Sequence, residues 1–518
     1  MFEKLKLCLS NLSNDLLKDK KHFAILLTFS IPLYLYSITK FLDYTFYNLF
    51  IWSVIVFLGI NIIGTIFINK FNKLKYLFYP ASYIVLLCNM YCIFMYGNTF
   101  NEPYLVSVLN TNPKEATEYL TTKVDVLKIV YFIIFNIALF GIYKVIYFAL
   151  EKKGNIFQKG IWVIVGIIAI NISNYYPFQI VPFNQFVSLC SFVGGEKIAE
   201  MKEDYYLKNN PIELEKNNST IPYVVLILGE STSKTHMHLY GHDVPNTPLL
   251  EQKQKDNEIV VYTNTKSGDT YTIGAVTKLL SFYNNKSTNL YYENANLIDI
   301  LKVAGYKTFW LSNQTKTGIF SNAQFRISKK CDYSYFTTNN DDRNRMFASV
   351  YDEELFPIID ETLSTKVTDK NFFVINLMGT HQDYRFRYPS EYNKFVKEND
   401  NKKERMLHHY DNAILYNDFI VTSIINKFKD KNALVIYLSD HGEDVYEEGI
   451  ERNEHYPNGT EHQKEIPMIF WASNEFKAKY PDKWESIKKH KDEFLSTDDF
   501  IYPFLEIIEI KTKENEEL

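Results

Sequence analysis

Two apolar, β-branched runs each end in groups that could do chemistry. YVVLILGEST places Glu230 directly after one run, and LVIYLSDHGED places Asp440 and His441 directly after another. Two carboxylates and an imidazole form a hard-to-borderline donor set for a divalent cation, and the imidazole favours zinc. Taken singly, each group reads equally well as the cap of a following helix. Taken together, at the same edge of one sheet, they point to a metal. Three more histidines, His236, His238 and His242, follow Glu230 closely and read as solvated or substrate-side groups rather than ligands.

A sheet must bring these residues together. From Ile221 onward, short β-branched runs alternate with longer helical stretches. The predicted strands are Tyr223–Leu228, Ile259–Tyr262, Thr308–Leu311, Phe373–Leu377, Leu434–Leu438 and Met468–Trp471. Between the fourth and fifth of these runs, Asn412–Phe428 carries Ile414, Leu415, Phe419, Ile420 and Ile424 at helical spacing. Continuous apolar strands alternating with helices imply a mainly parallel sheet covered on both faces. Functional residues in such sheets gather beyond the carboxyl ends of the strands, where Glu230, Asp440 and His441 are found.

The first third of the chain is different. Apolar runs at Phe23–Phe41, Phe50–Ile68, Leu77–Tyr96, Leu127–Ala149 and Ile161–Ser173 predict five membrane-spanning helices. Eleven lysines fall at residues 1–22 and in the second and fourth joints, against Lys114 and Lys123 alone in the opposite joints. The positive-inside rule then places the N-terminus in the cytoplasm and everything after Asn174 outside it. Residues 101–125 read as an amphipathic helix on the outer membrane surface or as a solvated loop. The resulting division is a transmembrane domain at 1–175, a bridging segment at 176–216 and a catalytic domain at 217–518.

Composition excludes several classes. The 518 residues carry a net charge of −5, which speaks against a nucleic-acid partner, and 16% aromatic content speaks against disorder. Five cysteines are too few for a disulfide scaffold, and only Cys190 and Cys331 lie where a bridge could form outside a membrane.

Six segments then occur in an order that resembles the bacterial phosphoethanolamine transferases of the lipid A type, in the alkaline phosphatase–sulfatase superfamily. They are VLNTNPKEATEYLT, LGESTSKTHMHLYG, SGDTYTIGAVTKLLSF, MGTHQDYRFRYP, YDNAILYND and SDHGED…EHYPNG…IPMIFWAS. The resemblance implies a five-helix membrane bundle followed by an α/β alkaline phosphatase-like domain in the periplasm, anchored in the inner membrane. It implies Zn²⁺ held by Glu230, Asp440, His441 and a threonine that is also the nucleophile. SGDTYTIGAVTKLLSF offers Thr270 and Thr272, and counting back from Leu280-Ser281 favours Thr272. Phosphatidylethanolamine would donate the group, and lipid A or another envelope acceptor would receive it. His381 and His455 match positions that contact the phosphoryl group, the leaving oxygen or a second zinc. Asn313 and Lys316 resemble a phosphate-binding pair. The family's usual Pro-Cys after the nucleophile is replaced here by Val276-Thr277.

Other readings separate on the same residues. A sulfatase would need a Cys or Ser followed by Pro and Arg, which Thr272–Val276 does not offer. A glycerol-phosphate polymerase of the teichoic-acid type would use Mn²⁺ and a different threonine motif. A non-catalytic membrane sensor would not need Glu230, Thr272, Asp440 and His441 together.

Overall fold

The structure is a computed structural model and describes residues 20–41, 68–96, 126–152, 208–289, 291–315, 323–338, 351–447 and 459–513, with shorter pieces between. Contacts divide the chain into two compact units, Met1–Val106 with Lys123–Gly194, and Ser107–Thr122 with Gly195–Leu518.

In the first unit, helices α1 (Lys20–Phe41), α2 (Lys75–Tyr96) and α3 (Val126–Lys152) contain the first, third and fourth of the apolar runs. Small clusters join them: Phe23 and Ala24 meet Leu150, and Leu33 meets Leu86 and Leu139. Outside those contacts α3 turns Ile133, Ile134, Ile137, Phe140 and Val145 outward, the pattern of a helix whose solvent is apolar. Lys75–Phe94 and Ile129–Glu151 are long and apolar enough to cross a membrane, and Lys21–Leu33 is a shorter apolar helix. Most of Phe50–Ile68 and all of Ile161–Ser173 lie outside the described residues, so two of the five predicted spans are not seen.

The second unit is built on a seven-stranded sheet. Its strands are β1 (Tyr223–Gly229), β2 (Ile259–Tyr262), β3 (Lys307–Thr315), β4 (Tyr333–Thr338), β5 (Asn371–Asn376), β6 (Ala433–Ser439) and β7 (Met468–Ala472), in the order β2-β7-β6-β1-β5-β3-β4. β7 alone runs against the other six strands, antiparallel to both β2 and β6. In the central strands alternate residues enter opposite cores: Val224, Leu226 and Leu228 of β1 pack into one, and Val225 and Ile227 into the other. A strand buried on both faces has no polar face to show, which is why these runs read as continuously apolar.

Helix α4 (Thr272–Leu279) lies on the first face and the long α5 (Lys402–Lys427) on the second. α5 opens with a capping box in which Asn401 and Glu404 satisfy each other's backbone amides. Its Tyr410, Ile414, Ile420 and Ile424 are buried against the sheet. Glu118, within Ser107–Thr122, belongs to this unit and pairs with Arg387, both deeply buried. Ser107–Thr122 is thus tied to the second unit, while most of residues 101–125 lie outside the described residues.

Candidate metal and nucleophile site

Register assembles the site. β1 and β6 are parallel neighbours, with Leu228 opposite Leu438 and Gly229 opposite Ser439. The next residue on each strand is therefore Glu230 and Asp440, and they leave the sheet side by side. The Asp440 amide donates to the Gly229 carbonyl at 3.1 Å, holding the two chain exits together.

Glu230, Asp440 and His441 are 1%, 2% and 0% exposed, with one ligand atom from each within 4.8 Å of the others. His441 Nε2 lies 3.3 Å from Glu230 Oε1 and 3.7 Å from Asp440 Oδ2. The other ring nitrogen, Nδ1, is 2.8 Å from the Gly442 carbonyl, which can only accept, so Nδ1 holds the proton and Nε2 keeps its lone pair for the cluster. Fixing a ligating imidazole through its second nitrogen is the usual support of a metal ligand.

Asp440 divides its labour in the same way. Oδ1 accepts the amides of Ser231 at 3.1 Å and of His441 at 2.7 Å, whereas Oδ2 is buried without a hydrogen-bond partner. Burial, and then the Glu230 carboxylate, push Asp440 well above the usual carboxylate range, with His441 opposing them. A buried carboxylate oxygen without a partner, facing a second carboxylate, is costly unless a cation or a proton enters. The residues present thus fit a divalent ion.

Thr272 is the first residue of α4, and its hydroxyl joins this group. Oγ1 donates to Glu230 Oε1 and Oε2 at 3.1 and 3.2 Å and lies 3.4 Å from His441 Nε2. Thr270 makes no such contact; its backbone amide donates to Asp269 Oδ1 at 2.8 Å, which shapes the turn into α4. Ser267, on the same approach, donates to the Asp440 carbonyl at 2.5 Å.

A third parallel strand supplies the other wall. β5 runs beside β1, and the loop after it bonds back to Glu230: the Thr380 amide and hydroxyl donate to the Glu230 carbonyl at 3.0 and 3.1 Å. Gly379 adopts φ +51, and a side chain there would meet Glu230 O at 2.8 Å and Glu230 N at 2.9 Å, so only glycine fits. His381 follows, with Nδ1 2.6 Å from the Gln382 carbonyl. Ser231, directly after Glu230, has φ +57. For a residue with a side chain this costs of order 1–3 kcal/mol, a pattern that clusters at functional sites.

The family model for sulfatases matches residues 222–510, a span covering the whole sheet and every residue of the site described above. The chain belongs to the sulfatase family. Within that family it is similar to phosphoethanolamine transferase EptC of Escherichia coli K12, 34% identical over 270 residues, which are 50% of this chain and 46% of the relative. The chain thus aligns with about half the length of that relative. The phosphoethanolamine transferase EptA of Helicobacter pylori is 28% identical over 75% of this chain and 74% of its own. Among solved structures, the zinc complex of the C-terminal periplasmic domain of EptC from E. coli is 30% identical, with a TM-score of 0.53 over 59% of this chain and 87% of that one. The full-length integral membrane protein lipooligosaccharide phosphoethanolamine transferase A of Neisseria meningitidis is 20% identical, with a TM-score of 0.61 over 96% of both chains. That last likeness shows a shared fold across both units of this sulfatase-family chain.

Against the sequence expectations, Glu230, Thr272, Asp440 and His441 come together, and His381 stands on the loop that clamps Glu230. Asn313 does not face them. It is 1% exposed; its amide donates to Asp352 Oδ1 at 2.8 Å, and its carbonyl oxygen accepts from Thr337 at 2.5 Å. The expectation stopped the strand at Leu311, but β3 continues to Thr315 through an irregularity between Ser312 and Thr315, and there Gln314 turns to the site. Gln314 Nε2 donates to Glu230 Oε2 at 2.7 Å, a contact the sequence reading missed. Asp352 was missed too. It accepts the amides of Met378 and Gly379 at 2.8 and 2.9 Å, so Asn313 acts through it on the Glu230 clamp. Lys316, His455 and Cys190 lie outside the described residues, while Cys331 carries a free thiol.

Proposed function

We propose that this chain is a zinc-dependent phosphoethanolamine transferase of the bacterial inner membrane. In this reading it takes phosphoethanolamine from phosphatidylethanolamine onto Thr272 and passes it to lipid A or another envelope acceptor. The observation that carries the proposal is the Thr272 hydroxyl, donated into the Glu230 carboxylate beside Asp440 and His441 at the start of a helix. The names of the transferases it resembles, and the zinc complex of one of them, support the same reading.

Glu230, Thr272, Asp440 and His441 would hold the ion. When bound, zinc supplies positive charge that lowers the pKa of a nearby hydroxyl and offsets charge on phosphoryl oxygens. The remaining work falls to the protein. The Thr272 proton leaves toward the carboxylate it already faces, and Oγ1 attacks phosphorus in line with the glycerol oxygen. The new P–Oγ1 bond forms as the bond to glycerol breaks, and diacylglycerol leaves as an alcohol after taking a proton. In this reading His381, as imidazolium, would give it. Amides at the start of α4 hold the transferred phosphoryl group. An acceptor hydroxyl or phosphate then attacks phosphorus, the bond to Oγ1 breaks, and Thr272 regains its proton.

For the first unit we propose five spans within residues 1–175, a bridge at 176–216 and a periplasmic catalytic domain at 217–518. The lysine asymmetry and the likeness to a full-length membrane fold support this.

The test is mass spectrometry of envelope lipids from cells carrying the wild-type chain, the Thr272→Ala chain or neither. A phosphoethanolamine adduct confined to the wild type is expected. An adduct equally present with Thr272→Ala would defeat the mechanism, and none in any strain would defeat the activity.

A further inference from the structure

Of the histidines that follow Glu230, His236 is buried and His242 part-buried, whereas His238 stays 39% exposed beside Glu251. The backbone folds into two short 3₁₀ turns, Lys234–His236 and His238–Tyr240, and returns through His242 toward α5. His236, His242 and Asp411 each bring one ligand atom within 4.8 Å of the others. The two rings stand 5.1 Å apart, and His242 Nε2 is 3.0 Å from Asp411 Oδ1.

The state of His236 points to a ligand. Its side chain is 10% exposed, and Nε2 lies 2.5 Å from Glu447 Oε1. A carboxylate there draws the ring proton to Nε2, so Nδ1 carries a lone pair. That nitrogen is buried and has no hydrogen-bond partner. An imidazole with one nitrogen on a carboxylate and the other bare, beside a second imidazole and a buried carboxylate, has the arrangement found where histidine binds a metal. Asn246 supports the same group, donating from Nδ2 to Asp411 Oδ1 at 3.1 Å and to the His236 carbonyl at 2.8 Å.

We propose that His236, His242 and Asp411 form a second zinc site, separate from the Glu230 cluster, with Glu447 holding His236 from behind. Two imidazoles and one carboxylate favour zinc over calcium or magnesium, which prefer all-oxygen shells, and water completes the fourth position. The role is a clamp. Tyr410, the neighbour of Asp411, accepts the Ser233 amide at 2.8 Å and donates to the Ser231 carbonyl at 2.7 Å. A metal joining Asp411 to His236 therefore locks the stretch that leaves Glu230 onto α5, and ties the Glu230 backbone to the sheet's second face.

The test counts zinc in the full-length chain, purified in detergent, stripped with chelator and reloaded with Zn²⁺ before elemental analysis. Two zinc ions per chain are expected for the wild type, one for His242→Ala, one for the double variant Asp440→Ala, His441→Ala, and none when all three changes are combined. His242 is part-exposed at the loop's return, so its loss should leave the fold intact, and unchanged far-UV circular dichroism confirms it. Cobalt loading gives a second readout: visible absorption of four-coordinate Co²⁺ should survive in the double variant and vanish on adding His242→Ala. The double variant separates this site from the active-site reading, because the zinc it keeps must be lost when His242→Ala, a change confined to the second cluster, is added. The same zinc content in wild type and His242→Ala, or no zinc and no cobalt band in the double variant, overturns the proposal.

Discussion

At Thr272 the hydroxyl meets a carboxylate and an imidazole; two residues earlier, at Thr270, the backbone is what matters, through its bond to Asp269. Thr272→Ala removes the attacking oxygen and one side of the metal group, so transfer should fall on the order of a thousandfold or more. Thr270→Ala should retain most of its activity. Peptide mapping after incubation with phosphatidylethanolamine checks both, since the adduct belongs on Thr272 alone. Gly379 offers a sharper structural test. A methyl group there must displace the Glu230 backbone, and the positive φ adds strain. Gly379→Ala is expected to cost about 1–3 kcal/mol in urea unfolding and to loosen zinc at the Glu230 site, read by competition with a chelating dye. Neither effect depends on losing a side chain that touches substrate.

At the scale of elements, α5 does more than cover the sheet. Asp418, deep in its middle, accepts the Leu249 and Leu250 amides at 2.8 and 2.9 Å and so caps the neighbouring helix Pro248–Lys255. Burial pushes this carboxyl up to about 7 from an ordinary 3.8, against the two amide bonds that lower it. The folded state thus binds the proton more tightly than the unfolded chain does. The stability from this group is complete below the unfolded value and is lost as pH rises through about 7. Asp418→Asn keeps an acceptor but no titration. Its unfolding free energy should therefore lose a slope worth on the order of 2–4 kcal/mol between pH 4 and 7, measured as urea midpoints across that range. Elements differ in how openly the chain announces them. β1, β5 and β6 were legible because burial on both faces leaves nothing polar to break the run, and Glu230, Asp440 and His441 followed as the next residues out. β4, YSYFTT, was not: an edge strand with one neighbour tolerates serine and threonine, and its hydroxyls resemble a loop. Gln314 was hidden for a related reason, because a strand extended by four polar residues changes which side chain faces the site. His236 and Asp411 meet only through the fold, so no local spacing marks them as one cluster.

For the whole molecule, the charge asymmetry of the joints makes a topological prediction. A reporter fluorescent only in the cytoplasm, fused after Leu518, should stay dark, while one active only in the periplasm should work. Fluorescence at that fusion would mean an even number of crossings ahead of the catalytic unit.

The pair of Glu118 and Arg387 makes the catalytic unit discontinuous along the chain, since its carboxylate comes from between two helices of the other unit. Anyone trimming the gene to obtain a soluble enzyme, cutting ahead of Leu214, discards the anion and keeps the cation. Arg387 is only 4% exposed in the intact chain, so trimming takes away its partner carboxylate along with part of its cover and leaves the guanidinium short of an anion. Breaking a buried pair in this way costs about 3–5 kcal/mol, whereas replacing the leftover charge by an apolar side chain restores much of it. The trimmed protein should therefore melt several degrees higher as Arg387→Met than with its native arginine, and in the full-length chain the same substitution should lower the melting temperature instead.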